Sequence, residues 1–403
     1  MSASWRRNGL IAFAALAAAH FIIDAYATGY APLLAVLRDH LGLNLTQVGW
    51  CAAVMAFSSS LMQPLYGFLS DRLRSRYVIA FAPAITGLGL GALAWVDSFS
   101  AALILFFVVG IGIAAFHPQG AMQVRDSAPL RPGLAMSLFI GIGSLGMAVG
   151  PLLVSWALLT WGWDGLWRIG APAIIATALL LWLAPDPDPR PTERRTGLAT
   201  ALWEHRWPLG LLYLLVVVRG TVQLVYQGFL PLFFIETGYS LVTASWALSV
   251  FLGVGVIGGL MGGVLSDRFG GRFVIRIAMA GSLPFLVLAF FLPNGWQLAF
   301  LSIGYAFILL TMPVNLLMAQ DHVPEHSSTI SSLMMGFAWG VGGAVAPLVG
   351  KLADMYGLSI ALTLVAGLPL LGVILAWLLP PDLPRAAAES EVPEGARGDR
   401  NRS

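Results

Sequence analysis

Gly67-Phe-Leu-Ser-Asp71-Arg72-Leu-Arg-Ser-Arg76 returns further along the chain as Gly263-Val-Leu-Ser-Asp267-Arg268-Phe-Gly-Gly-Arg272. A glycine, an aspartate and two arginines keep their places. The same offset separates Pro151 from Pro347, each inside a glycine-rich apolar run. One offset shared by distant motifs indicates an internal duplication, and a duplicated apolar chain builds two similar helical bundles with a cavity between them. Between the copies lie long apolar stretches rather than a soluble domain. In each half the charged turn follows the second of these stretches, as expected of a transporter.

Composition supports this reading. Of 403 residues, 58% are hydrophobic and only 10% charged, against about 25% charged in a soluble protein. Length alone would suit two or three soluble domains, but the apolar stretches overrule it. A net charge of +2 gives no strong field for nucleic acid. The single cysteine, Cys51, has no partner for an internal disulfide or a cysteine-based metal site and reads as a small core residue. Arg6 and Arg7 before an apolar stretch ending at Ala17-Ala-Ala19 imitate a secretory signal. The apolar run resumes after Asp24 and continues to about Val36, which makes a full span instead.

Crossing ~30 Å of hydrocarbon takes about 20 helical residues. Twelve segments qualify: 9–37, 47–69, 77–95, 100–123, 133–160 and 166–185, then 207–235, 243–265, 273–292, 296–319, 327–350 and 358–380. The expected fold is an all-α membrane protein with twelve transmembrane helices in two pseudo-symmetric six-helix bundles. Residues 1–185 would form the first bundle and 207–380 the second. Residues 186–206, rich in proline and charge, would be a cytoplasmic linker, and 381–403 a tail of disordered composition.

Basic residues set the orientation. With the N-terminus inside, Arg6, Arg7, Arg72, Arg74, Arg76, Arg125, Arg131, Arg190, Arg194, Arg195, Arg206, Arg268, Arg272, Arg276 and the tail arginines are cytoplasmic, and only Arg38, Arg168 and Lys351 lie outside. Both termini are then cytoplasmic. Trp50, Trp95, Trp161, Trp163 and Trp296 would mark the outer interface, Trp203 and Trp207 the inner one. Glycines recur every fourth residue at Gly146 and Gly150, at Gly255, Gly259 and Gly263, and at Gly336 and Gly340. Such rows let helices approach closely in lipid, as a static contact or a sliding one.

A charge at mid-bilayer costs from ~3 to over 10 kcal/mol. Well inside the spans stand one carboxylate, Asp24, one guanidinium, Arg219, and two histidines, His20 and His117. His20 and Asp24 are one turn apart on one helix face, with Tyr30 further along. They form either a protonatable site or a structural pair. Arg219, Gln223, Tyr226 and Gln227 make one polar stripe on an apolar helix, which must face protein or water. Arg219 would hold an anionic group of a solute or neutralise Asp24, since its planar fork suits carboxylate and phosphonate. His117 precedes Pro118, and Asn315 follows Pro313. A proline removes a backbone donor and kinks a helix, exposing polar groups at both places. Tyr305, Trp246 and Trp339 are candidate aromatic walls. The run Asp321–His326 has metal-binding residue types but belongs to a loop. No metal, cofactor or nucleotide site is expected.

Twelve spans, two halves and the repeated Gly-x-x-x-Asp-Arg-x-x-x-Arg turn resemble the major facilitator superfamily. The turns at Gly67–Arg76 and Gly263–Arg272 are similar to that family's loop motif, and Gly146, Gly150 and Pro151 to its span-5 proline motif, with Pro347 the counterpart. The resemblance implies that Asp71 and Arg72, with Gly67, Arg76, Gly263, Asp267, Arg268 and Arg272, form a gate that latches the halves on the cytoplasmic side when the protein opens outward. Opposite charges beside a helix end can make bonds that exist in one state only. A purely topological anchor of positive charge is the alternative. His20-Phe-Ile-Ile-Asp24, Phe116-His117-Pro118 and Gly133-Leu-Ala-Met-Ser137-Leu-Phe139 resemble the fosmidomycin-resistance group of drug exporters. The chain departs from that group at Gln119, where an acid is usual, and at Ser144, where asparagine often follows the glycine.

The expected function is secondary active transport of a small organic solute in a bacterial cytoplasmic membrane. Proton-coupled export of a drug-like or anionic compound by a monomer is favoured over uptake of an organic anion by symport. His20 and Asp24 would carry protons, while Arg219, Gln223, Tyr226, Gln227, His117, Asn315 and Tyr30 would meet the solute. A receptor or scaffold would not need the duplicated turn. An intramembrane enzyme would need a nucleophile beside His20 and Asp24. Protons, the solute and the lipid bilayer are the expected partners, and nucleic acid is not. The topology is testable by cysteine labelling beyond Pro381. Labelling from the cytoplasmic side only is expected, and an external C-terminus would contradict both the charge asymmetry and the even span count.

Overall fold

The computed structural model describes residues 3–73, 76–127, 132–184, 197–293 and 295–383, with the side chains of 3–8, 64, 67–73, 125–127, 132–133 and 327–328 excepted. Twelve helices there are long and apolar enough to cross a bilayer. They are spans 1–6, Gly9–Leu41, Leu45–Gln63, Tyr77–Trp95, Phe99–Val124, Leu134–Trp161 and Leu166–Leu183, and spans 7–12, Arg206–Glu236, Leu241–Phe269, Gly271–Ala289, Trp296–His322, Thr329–Tyr356 and Leu358–Leu378. No strand occurs among the described residues. This is an all-α, multi-pass membrane protein of two pseudo-symmetric six-helix bundles. Lipid offers no partner for a backbone N–H or C=O, so apolar stretches of this length close their hydrogen bonds internally as helices. Large apolar side chains cover the outside: Trp182 is 80% exposed, Leu260 and Phe291 72%. In water such a surface would be a liability, but in lipid it is the solvent-matched face.

Several spans are broken where hydropathy runs smoothly. Span 10 is two helices, Trp296–Leu309 and Thr311–His322. Pro313 has no N–H to return to Leu309 and its ring crowds that carbonyl. At the joint, Leu310 N–H is shared between the carbonyls of Ala306 at 3.1 Å and Phe307 at 3.2 Å. Span 11 contains a π-helical turn, Ser332–Phe337, followed by helices Ala338–Gly343 and Ala346–Tyr356. Such turns are frequent at functional positions. A short helix, Leu198–Glu204, precedes span 7 within the sequence expected to be linker.

Span 1 packs on spans 5 and 6, span 2 on span 4, and span 7 on spans 8, 11 and 12. Across the halves, span 5 meets span 8 and span 2 meets span 11. The row Gly146 and Gly150 seats span 5 on span 1: a Cβ at 146 would lie 3.0 Å from Phe21 Cα, and one at 150 would lie 2.8 Å from the Ala25 carbonyl carbon. Thr28 Oγ1 donates to Met147 O at 2.8 Å across the same contact. In span 8 the close row is Gly255, Gly258 and Gly262, against the expected Gly255, Gly259 and Gly263: a Cβ at Gly255 would lie 2.5 Å from Tyr305 Cδ1. A Cβ at Gly258 would meet Ala306 Cα at 2.8 Å, and one at Gly262 would meet Leu310 Cα at 2.9 Å, whereas nothing lies within 4 Å of one at Gly263. At 3.6 residues per turn, a strict four-residue step drifts off the contact line.

The halves are tied at the ends of spans 1 and 7 away from the N-terminus. Arg38 Nη1 reaches Glu236 Oε1 at 2.6 Å. Deeper, Gln227 Nε2 donates to Ala27 O at 2.9 Å. The two glycine classes in span 8 predict different responses to one change. Gly258→Ala should destabilise by about 1–3 kcal/mol through overpacking, and Gly263→Ala should not destabilise. Melting of the purified proteins in detergent checks this, and equal melting temperatures would contradict it.

Candidate functional site

Span 1 carries the most tightly held polar group in the bilayer. Asp24 is 6% exposed and His20, one turn earlier, 5%. His20 Nε2 lies 3.2 Å from Asp24 Oδ2. The other carboxylate oxygen is taken by span 4, where His117 Nε2 lies 3.0 Å from Asp24 Oδ1. Each imidazole is fixed from behind: Nδ1 of His20 meets Phe139 O of span 5 at 2.9 Å, and Nδ1 of His117 meets Ile113 O at 2.9 Å. The His20 ring also stacks on Phe139 with centroids 4.0 Å apart and sets its edge to His117 at 5.2 Å. Span 5 can lie over the pair because residue 143 is glycine. A Cβ there would come within 2.6 Å of both Asp24 Oδ2 and His20 Nε2.

This geometry counts protons. A carbonyl only accepts, so the tautomer that satisfies the Phe139 and Ile113 contacts carries hydrogen on Nδ1 and turns each Nε2 to the carboxylate. A bare Nε2 and a carboxylate oxygen are both acceptors. Each contact therefore becomes a hydrogen bond only with a proton in it, and closing both takes two. The three donor atoms lie within 4.8 Å of one another, near enough in distance alone for a divalent ion. The direct N···O separations are those of hydrogen bonds.

A second polar group lies on span 7. Arg219 is 2% exposed, and its Nε and Nη1 have no hydrogen-bond partner. Its guanidinium carbon stands 5.7 Å from the Trp339 ring centroid, just past the π-helical turn. Tyr305, stacked on Phe251 at 4.0 Å, is within its electrostatic reach. Gln223 Oε1, both amide atoms of Asn315 and Trp339 Nε1 are likewise buried without partners. Buried polar atoms in native proteins are nearly always paired, and unpartnered ones also occur elsewhere among the described residues, at Gln119, Gln297 and Ser302 among others. Asp24 is not the counter-charge of Arg219, because its oxygens are taken by the histidines. The Gln227–Ala27 bond shows that the face bearing Arg219, Gln223 and Gln227 turns toward span 1. By helical rise, Arg219 then sits roughly 7 Å closer than Asp24 to the N-terminal face.

The remaining expected residues fall in several places. Tyr30 is buried with its edge to Phe106, and bonds Gln227. Both join the halves. Tyr226 turns away from the stripe, donating to Leu362 O at 3.2 Å beside Phe251 and Phe290. Of the aromatic candidates, Trp246 is 56% exposed, while Tyr305 is buried. Gly67, Asp71 and Arg72 belong to the helix Leu45–Leu73, with side chains outside the described set. Arg76 lies 6.0 Å from the Tyr77 ring centroid. In the second copy Arg268 covers Phe269 at 5.1 Å, and Arg272 N–H donates to Asp382 Oδ1 at 2.9 Å. Asp267 lines a cleft with Asp321, His322 and Asp382. Pro347 packs against span 2, where a Cβ at Gly49 would lie 2.8 Å from its Cα. Gln119 is 1% exposed with neither amide atom partnered. Gly143, which packs on His20 and Asp24, is the position beside this cluster that sequence reasoning does not set apart from neighbouring glycines.

Known proteins resemble the chain along nearly its whole length. An uncharacterized MFS-type transporter of Bacillus subtilis (strain 168), YfnC, is 29% identical over 90% of this chain and 91% of its own. The fosmidomycin resistance protein of Escherichia coli (strain K12) is 26% identical over 90% of this chain and 91% of its own. Among solved structures, a mutant form of the nucleoside transporter NupG shares the fold, with a TM-score of 0.78 at 14% identity over 91% of this chain and 99% of that one. The family model of the Major Facilitator Superfamily matches residues 16–347, and the chain belongs to that superfamily of small-solute transporters.

Proposed function

We propose that the protein couples protons to the movement of a small organic solute by alternating access, and that it exports a drug-like or anionic compound across the bacterial cytoplasmic membrane. One observation carries the reading: the Asp24 carboxylate, deep in span 1, is clasped by His20 and His117 from two different spans. One proton crossing ~100 mV gains about 2.3 kcal/mol, and each pH unit adds about 1.4 kcal/mol. A cluster whose closure needs protons can draw on both terms. Arg219 takes the anionic group of the solute, with Gln223 and Asn315 as hydrogen-bonding neighbours. Residues 1–185 and 207–380 act as the two rocking bodies, joined by 186–206, with both termini cytoplasmic. Asp71 and Arg72 latch the cytoplasmic side in the outward-open state. The similarity to the Escherichia coli fosmidomycin resistance protein favours export. Gln119 carries no charge at the place where that group usually has an acid, so the proton load falls on Asp24.

The second reading is uptake of an organic anion by symport. It shares with the first reading the support of Arg219, whose unpartnered Nε and Nη1 suit an anionic solute in either direction of travel.

Flux in proteoliposomes under a pH gradient of each orientation separates the two, with fosmidomycin and a panel of small organic anions as probes. Asp24→Asn should abolish gradient-driven accumulation while energy-independent exchange survives. Full accumulation by that variant would remove Asp24 from the proton path. His20→Ala should displace the pH profile of flux and leave binding intact. Arg219→Ala should weaken binding of anionic probes by tenfold or more, as expected for the loss of a charge-assisted pair in a dry site. It should leave uncharged probes little changed, and equal loss for both would assign Arg219 a structural role.

A further inference from the structure

Asp354 stands in the last turn of the helix Ala346–Tyr356 in span 11. A carboxylate there opposes its own helix, whose C-terminal end favours a cation. Its partners lie in the other half of the protein. Oδ1 accepts the Leu45 N–H at 2.8 Å, and Oδ2 accepts the Thr46 N–H at 2.9 Å and the Thr46 hydroxyl at 2.6 Å. Leu45 and Thr46 open span 2. The next donor, Gln47 N–H, goes to Asn44 Oδ1 at 2.8 Å, and Asn44 N–H returns to Gln47 Oε1 at 3.0 Å. Val48 N–H reaches the Asn44 carbonyl at 3.1 Å. Every donor that a helix start leaves open is thus satisfied, half of them locally and half from the second bundle.

The contact is built for that purpose. One turn before the acid, Gly350 lies on the backbone of span 2: a Cβ there would be 2.7 Å from the Leu45 carbonyl carbon and 2.8 Å from Thr46 Cα. Gly350-x-x-x-Asp354 has the spacing of Gly67-x-x-x-Asp71 and Gly263-x-x-x-Asp267, but lies at the opposite end of the molecule. Arg38, paired with Glu236 at 2.6 Å, also acts electrostatically on Asp354. Charged groups of spans 1 and 7 are thus linked through Arg38 to the acid that caps span 2.

We propose that Asp354 is a latch for this face: its carboxylate caps span 2 from the other half and holds the face closed in the state seen here. The latch rests on the alternating-access reading above. When the face opens, Leu45 and Thr46 lose their acceptor, and Asp354 is left at the unfavourable end of its own helix. Opening must offset that loss, so the cap sets the ratio of closed to open molecules. The Asn44–Gln47 pair stays with span 2 and keeps its start from fraying when the latch releases.

Spin labels on cysteines at Asp39 and Thr237, exposed residues of the two halves, report this face in the full chain reconstituted in lipid, with Cys51→Ser as background. Asp354→Ala should move the distance distribution toward longer separations, with the open-to-closed ratio rising roughly tenfold, the size expected for losing a charged helix cap. Asp354→Asn keeps one acceptor and should give a smaller shift in the same direction. Asn44→Ala should lower the melting temperature and leave the distances alone. Unchanged distances in a folded Asp354→Ala protein would overturn the latch. If that variant fails to fold, unchanged distances in Asp354→Asn would do the same. A protein that shows the shift yet carries no solute in vesicles would overturn the transport reading and leave the latch standing.

Discussion

A carboxylate in the middle of a bilayer is tolerated only if something else holds its charge, and much of the first half of this protein is arranged to do so for Asp24. Span 1 supplies the acid and one imidazole. Span 4 supplies the second imidazole, and span 5 supplies the Phe139 carbonyl that orients the first. Span 5 must lie almost on the backbone of span 1 to do this, which the Gly146 and Gly150 row permits, and it must carry no side chain at 143. Packing and the polar cluster are one constraint here: a methyl group at residue 143 of span 5 would push aside the His20 and Asp24 side chains.

The second half presents the complementary problem, a buried cation without an acid. Arg219 sits against the face of Trp339 with part of its fork unpartnered, and Gln223, one turn along the same helix, has an unpartnered amide oxygen. A cation left this way is costly unless a ligand completes it. The two halves therefore differ chemically although their backbones repeat. One keeps an acid satisfied by bases, and the other keeps a base that wants an acid. A protein that binds an anionic solute on one side of its pseudo-symmetry axis and protons on the other needs no direct contact between them. The Gln227 to Ala27 bond joins the two halves beside these groups.

The sequence is most legible where lipid leaves the chain no choice. Twelve apolar stretches become twelve spans with ends displaced by only a few residues, because a helix is the one way a single stretch can satisfy its backbone in hydrocarbon. The His20–Asp24 pair is legible for a similar reason, since one turn of helix fixes their separation. Less can be read where the outcome depends on which helix lies opposite. His117 reads from sequence as a kink and solute residue, and its bond to Asp24 depends on how span 4 leans on span 1. Tyr226 shares a sequence stripe with Arg219, yet neighbouring spans draw its hydroxyl to Leu362. The glycine row of span 8 agrees at Gly255 and then runs out of phase, because spacing by fours ignores the helix's drift. Asp354 gives no signal, because its partners belong to a helix start in the other half.

The proposal that the cluster around Asp24 exchanges protons as solute binds is tested most directly by counting them. Purified protein in weakly buffered detergent solution is mixed with a transported solute, and the pH change is read against the amount bound. Under the account, the unsubstituted protein exchanges protons with the medium on binding, and Asp24→Asn binds without doing so. The same proton exchange in both proteins, with binding intact in both, would contradict it.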